Sequence, residues 1–310
     1  MRSFEKLFIC ILASQQLVCL AARANASPTD EHKIWNSDHV RMIAGGENIK
    51  SNTAGTLSLT ESAIAFVSPH GRATIERSKL TSVSWSEVRL EEGGTAGLIG
   101  RKAMPLLAAV AQSSVKLLAI EYRDDKNAYH GMVFQMSKSE ASYLPRIFEL
   151  KESSSATDSP SPACELNQHA STAMLFEKPT AEDSTVPAVY QTLAYEQLSK
   201  RIQEHAGTAQ FMRSGDHASV AECPTYRLSL SLKDFQGGNV VFRALAGPLG
   251  MFSGLTSLSA QARLQDNQGN VLFNENFKVS QRGDSDSLAV TDRIAKKIAD
   301  KLKTTSAQRQ

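Results

Sequence analysis

The 310-residue chain is poor in aromatic residues, which make up 6% of it, and holds two tryptophans, Trp35 and Trp85. A surface built on stacked rings therefore has few residues to draw on. Cysteine is scarce too, with four in all and none at CxxC or CxxH spacing, so a thiolate zinc site has no ligand pair to start from. No stretch reaches the ~20 consecutive apolar residues that a helical bilayer span requires. Charge of one sign is also missing. Residues 1–26 hold Arg2, Lys6 and Arg23 against Glu5, which is the whole of the net charge of +2, so the rest of the chain is neutral. Net charge thus gives no ground for a nucleic-acid partner.

Catalytic signatures are equally sparse. The chain has no G-x-S-x-G, and Ser214-Gly215-Asp216-His217 crowds suitable residue types without the geometry of a triad. None of the seven histidines (His32, His39, His70, His130, His169, His205, His217) stands four residues from another on a helix. His130 alternates with strand residues and reads as a core histidine. No metal, cofactor or catalytic residue is expected.

The N-terminus carries a three-part pattern. Arg2 and Lys6 precede an apolar stretch from Leu7 to Leu20, and Ala24-Asn25-Ala26 resembles a cleavage site. This predicts a secretory signal peptide over residues 1–26 and a mature chain starting at Ser27. A lipoprotein cysteine should follow small residues, but Leu17-Val18 precede Cys19 and Phe8-Ile9 precede Cys10. The expectation is an exported protein, periplasmic or secreted, with a lipid anchor at the outer membrane as the lesser alternative. Cys164 and Cys223 then form an even pair in an oxidising compartment. A disulfide between them is expected and contributes about 3–4 kcal/mol on a chain-entropy estimate.

The Ser- and Pro-rich run KESSSATDSPSP marks a linker over residues 151–163. Before it, residues 27–52 read as a polar leader in which Trp35, Val40 and Ile43 leave room for a short element. Residues 53–150 read as strands. Leu57 and Leu59 alternate with polar neighbours, and Ile64/Phe66, Val83/Trp85, Leu118/Ile120/Tyr122 and His130/Met132/Phe134/Met136 each recur at every second position. A helix follows, with Ala141, Leu144 and Phe148 on one face, a cap at Ser137 or Ser139, and Pro145 ill-placed inside it. Residues 164–305 mix helix and strand. Val186, Tyr190, Ala194, Leu198 and Ile202 make one amphipathic stripe, and Val290, Ile294, Ile298 and Leu302 make another. Between them lie strands at Leu228–Leu232, Leu258–Leu264 and Val271–Val279, the last two joined by a turn at Asp266–Asn270, with an early strand near 171–176. Residues 306–310 are a tail.

The first half, through GTLSLTESAIAFVS, ERSKLTSVSW and KLLAIEYRDDKNAYHGMVFQMSKSEA, resembles the bacterial PH-like and GRAM-like modules. That resemblance implies a small binding barrel closed by a C-terminal helix. The basic loop cluster that reads phosphoinositides in eukaryotic relatives is not matched by Thr60-Glu61-Ser62 or His70-Gly71-Arg72. The second half, through GNVVFRALAGPLGMFSGLTSLSAQARLQDNQGNVLFNENF and DSDSLAVTDRIAKKIADKLK, is similar to a family of bacterial envelope proteins known only as a domain of unknown function and often found on lipoproteins. Arg243, Gly247, Gly250, Gly254 and Asp266 fit that family's Arg, glycine loop and strand-ending Asp, while Pro248 and Phe252 make the loop bulkier. The expected architecture is therefore two domains: a mostly-β PH-like barrel with a C-terminal helix, then an α+β domain with an antiparallel sheet and two helices.

One stretch needs its own reading. GGTAGLIGRKAMPLLAAVAQ spans Gly93 to Gln112. A phosphate-binding P-loop needs G-x-x-x-x-G-K-[ST], but Thr95 stands at the first glycine, Arg101 intervenes before Lys102, and Ala103 replaces the hydroxyl. It reads instead as an insertion between two strands, with a glycine-rich entry and an apolar body too short to span a bilayer. Gly97, Leu98, Ile99, Arg101, Lys102, Met104, Leu106 and Leu107 form a candidate contact surface for an envelope protein or a lipid. The functional expectation is a non-enzymatic exported envelope protein with a binding or scaffolding role. The alternatives are a carrier of lipid or a small apolar ligand, or a hydrolase with its site between the domains.

Overall fold

The computed structural model describes residues 33–46, 49–90, 113–143, 148, 173–205, 211–217, 224–237, 256–281 and 288–307. The first sheet has seven antiparallel strands: β1 (Lys33–Ala44), β2 (Thr53–Thr60), β3 (Ala63–Ser68), β4 (Gly71–Glu76), β5 (Leu80–Leu90), β6 (Ser113–Arg123) and β7 (Tyr129–Met136). Their order is β4-β3-β2-β1-β7-β6-β5. The alternating segments expected as strands all fall within β2, β3, β5, β6 and β7.

Two features differ from expectation. Residues 33–44 of the expected polar leader form β1, which lies inside the sheet between β2 and β7. Register shifts between Lys33 and Trp35 and between Ser37 and Val40 break its alternation, so Val40 and Met42 reach the core without a readable period. The sheet also does not close into the expected barrel. It curls far enough for the Phe66 ring on β3 to meet Phe134 on β7 at 5.3 Å, but among the described residues no ladder joins β4 to β5. The 3-10 turn Arg77–Lys79 carries the chain from one edge strand to the other. A short helix, α1 (Lys138–Ala141), follows β7. Ser137 caps it: the Glu140 amide donates to Ser137 Oγ at 3.3 Å and the Ser137 amide donates to Glu140 Oε2 at 3.2 Å. Phe148 packs on the same core, and Pro145 lies outside the described residues.

The second sheet contains β8 (Met174–Phe176), β9 (Thr180–Ala181), β10 (Phe211–Arg213), β11 (Tyr226–Gln236), β12 (Thr256–Asp266) and β13 (Val271–Gln281), in the order β10-β8-β11-β12-β13 with β9 also on β11. β11, β12 and β13 are antiparallel as expected. β8, β9 and β10 pair in parallel, so the sheet is mixed rather than antiparallel. The cause is the helix α2 (Ala188–His205), which carries the chain over from β8 to β10 as a parallel connection requires. Strands of two or three residues are too short to show a period. The last helix is α3 (Ala289–Ala307).

The two-domain division is blurred by the packing. One core lies inside the curl of the first sheet. The other contains side chains of α2, α3 and the second sheet together with Ile43, Ala44, Leu117, Ala119, Tyr129 and Val133 from the first. α2 packs against β5, β6 and β7 as well as α3, so it belongs to both halves.

Candidate functional site

β6 and β7 are buried on both faces. Leu118, Ile120, Met132, Phe134 and Met136 face the core of the first sheet, while Leu117, Ala119, Tyr129 and Val133 face α2. The approach of helix to strand is close. A Cβ on Gly131 would lie 2.2 Å from Thr192 Cγ2, so only glycine fits there. The gap it leaves lets the Gly131 amide donate to Glu196 Oε1 on α2 at 2.8 Å.

Glu196 is the centre of a buried network. Arg213 on β10 donates to it in parallel, Nη1 to Oε1 at 2.7 Å and Nη2 to Oε2 at 3.0 Å, and Arg213 Nη1 also reaches the Tyr129 carbonyl at 3.3 Å. Burial alone would lower the Arg213 pKa, but the Glu196 charge and its hydrogen bonds outweigh that and raise it. Beside it, Glu121 on β6 accepts from Thr192 Oγ1 at 2.9 Å and from Lys178 Nζ at 2.7 Å. Burial and the Glu121 carboxylate push the Tyr129 hydroxyl far above its ordinary range. Burial does the same to Tyr195, against the opposing Arg213 charge. Rings fill the remaining space: Tyr129 meets Tyr195 edge-on at 4.9 Å, Phe176 stacks on Tyr195 at 4.6 Å, and Lys178 Nζ lies 4.8 Å from the Tyr129 ring centre.

A second contact extends this seam. The turn between β6 and β7 meets the turn after β10. Tyr129 N donates to the Ser214 carbonyl at 2.8 Å, Asn127 Nδ2 to the Gly215 carbonyl at 2.9 Å, and His217 N to the Lys126 carbonyl at 2.9 Å. The Ser214–His217 run, which crowds triad-like residue types in sequence, is thus used through its backbone as a docking turn. His130 is buried, stacked on Tyr122 at 5.4 Å, with Nε2 3.3 Å from Asp124 Oδ2, in keeping with a core histidine. Both oxygens of Glu196 and both of Glu121 accept from donors on other elements. Chemically the arrangement is a clamp that holds two sheets and a helix in register.

Most residues singled out in sequence lie outside the described residues. These are Gly97, Leu98, Ile99, Arg101, Lys102, Met104, Leu106 and Leu107, the pair Cys164 and Cys223, and Arg243, Gly247, Gly250 and Gly254. Their attachment points are described. β5 and β6 pair up to Leu90 opposite Ser113, so residues 91–112 connect two adjacent antiparallel strands, as expected of an insertion. β11 and β12 pair up to Gln236 opposite Ser257, so the glycine loop joins a second such pair. Asp266 is described, and it builds the turn between β12 and β13. Its Oδ1 accepts from the amides of Gln268 at 3.0 Å and Asn270 at 2.8 Å, and Gly269 adopts φ +84°.

The clamp residues Glu121, Lys178, Thr192, Glu196 and Arg213 were not read from sequence. A trace of them is there: Thr192, Glu196 and Ser199 recur at helical spacing beside the apolar stripe, and all three are buried. A helix buried on two sides has two stripes.

The chain matches no protein-family model and no curated protein. Among solved structures it is similar to the PelC dodecamer from Paraburkholderia phytofirmans, with 13% identity, 42% of this chain and 87% of that chain covered, and a TM-score of 0.30. It is also similar to the hypothetical protein CT253 from Chlamydia trachomatis, with 11% identity, 35% and 71% coverage, and a TM-score of 0.25. Scores at this level are no basis for assigning a fold or an activity, and none is assigned from them.

Proposed function

We propose that this chain is an exported bacterial envelope protein that binds or scaffolds rather than catalyses. The single observation that carries the reading is the direction in which its two long connections leave one clamped body. Tyr190 near the start of α2 meets Phe235 near the end of β11 at 4.3 Å. Farther along α2, Tyr195 meets Tyr129 beside the β6–β7 turn. The open ends of the β5–β6 pair and of the β11–β12 pair therefore both point toward the N-terminal end of α2. A rigid scaffold whose loops leave in one direction is a common way to present a contact surface. The contact residues are then those of 97–107, with Arg243, Gly247, Gly250 and Gly254 on the other connection.

The signal-like residues 1–26 support export, and the likeness of the first half to PH-like binding modules is carried by its quoted motifs. The likeness of the second half to an envelope family is carried by its quoted motifs. A hydrolase with its site between the halves is the weaker reading, because α2 and its ion pairs fill that ground. The test is crosslinking capture from the envelope of the source cell with the full chain and with a variant carrying Leu98, Ile99, Leu106 and Leu107 as serine. The reading expects a partner or lipid that the wild type captures and the variant loses. Identical capture by both, or a chain found in the cytoplasm with residues 1–26 retained, contradicts it.

A further inference from the structure

We propose that the corner formed by α3 and β13 is an electrostatic contact surface for an anionic phospholipid bilayer. The chain beyond residue 26 is neutral overall, but its charge is unevenly placed. α3 turns Val290, Ile294 and Ile298 into the core and exposes Arg293, Lys296, Lys297, Asp300 and Lys303. At 3.6 residues per turn these five occupy an arc of about 120°, and the row from Arg293 to Lys303 rises ~15 Å. β13 runs alongside and adds exposed Lys278, whose carbonyl accepts from Lys297 Nζ at 3.1 Å. Two flanking carboxylates are already matched: Glu275 pairs with Lys301, and Asp292 takes both Nε and Nη2 of Arg201. Asp300 is the one acidic residue within the exposed row, against five cations counting Lys278.

The helix dipole does not explain this. It favours cations in the last turn, which holds no basic residue, and it gives no reason for Arg293 near the start of the helix or Lys278 on a strand. The chemistry of the patch selects among anionic partners. Four of its five cations are lysine, a point charge suited to a diffuse field of headgroups, not the planar fork that reads a fixed phosphate or carboxylate. The row contains no aromatic side chain on which a base could stack. The apolar stripe of α3 is spent on the core, so adsorption is through the polar face alone, without insertion, and is fully salt-reversible. None of its residues belongs to the 97–107 segment, and its binding does not depend on what that segment binds.

The test is co-sedimentation of the full chain with phosphatidylcholine vesicles, with and without one-quarter phosphatidylglycerol. Binding is expected only with the anionic lipid and is expected to be lost at high salt. Each basic residue near such a surface is worth about fivefold in partitioning, so K296Q/K303Q should lower it about 25-fold. K79Q, on the far half, should leave it unchanged. Lys296 and Lys303 are exposed, Lys79 is half-buried and paired with Asp125, and thermal melting checks that the variants fold. No phosphatidylglycerol dependence, no effect of K296Q/K303Q, or binding to heparin without binding to vesicles overturns the proposal.

Discussion

Glu196 on α2 and Arg213 on β10 face each other as a two-pronged buried pair, and the same carboxylate takes the Gly131 amide of the first sheet at 2.8 Å. One side chain thereby ties a helix and both sheets together. Removing one partner strands the other charge in a dry site, which typically costs about 3–5 kcal/mol. Glu196→Ala should therefore lose that much stability in urea unfolding. The double variant Glu196→Met/Arg213→Met should lose distinctly less than the sum of the single Met variants. Additive losses would show that the pair is not coupled.

Gly131 tests the closeness of α2. Gly131→Ala places a methyl 2.2 Å from Thr192 Cγ2 and should destabilise by about 1–3 kcal/mol as overpacking does. Thr192→Ser removes that methyl and keeps the hydroxyl that serves Glu121. Adding it should restore most of the loss, since the next neighbours of the added Cβ are 3.6 Å away. A double variant no more stable than Gly131→Ala contradicts the contact.

Glu140 predicts an acid limb. Burial would raise its pKa, but hydrogen bonds from Ser37, from Ser137 Oγ at 2.7 Å and from the Ser137 amide hold it below the ordinary 4.5. A depressed folded-state pKa means stability that is fully present above the unfolded value and is lost as pH falls through the folded one. Thermal melts between neutral and acid pH should show a shallower fall for Glu140→Gln than for the wild type below about pH 4.5. Parallel curves would rule this out.

The expected disulfide has a direct assay. Mature protein, denatured without reductant, should show no reactive thiol. Two thiols, from Cys164 and Cys223, would rule the bridge out.

What the sequence revealed depended on which faces were buried. α2 and α3 were legible because their apolar stripes have a clean helical period. Leu118, Ile120 and Tyr122 mark β6 by their spacing of two, yet the run Leu117-Leu118-Ala119-Ile120 has no apolar–polar alternation because α2 covers the other face. That uninterrupted run was the available sign that the first sheet is not a free-standing barrel. β1 hid behind two register shifts. β8 falls within the early strand expected near 171–176, but it, β9 and β10 are too short to show which way they pair, and with them went the parallel pairing and Arg213. The partnership of Glu121 with Lys178 and of Glu196 with Arg213 follows only from the crossover of α2, which no local pattern encodes.

The central claim is that α2 makes the two halves one body. A protease site placed in the linker at residues 151–163 of the full chain tests it. After complete cutting, the fragments should co-elute as one species of the uncut size in native buffer, and should unfold in one cooperative transition. Fragments that separate without denaturant, or that melt in two independent steps, would contradict the account.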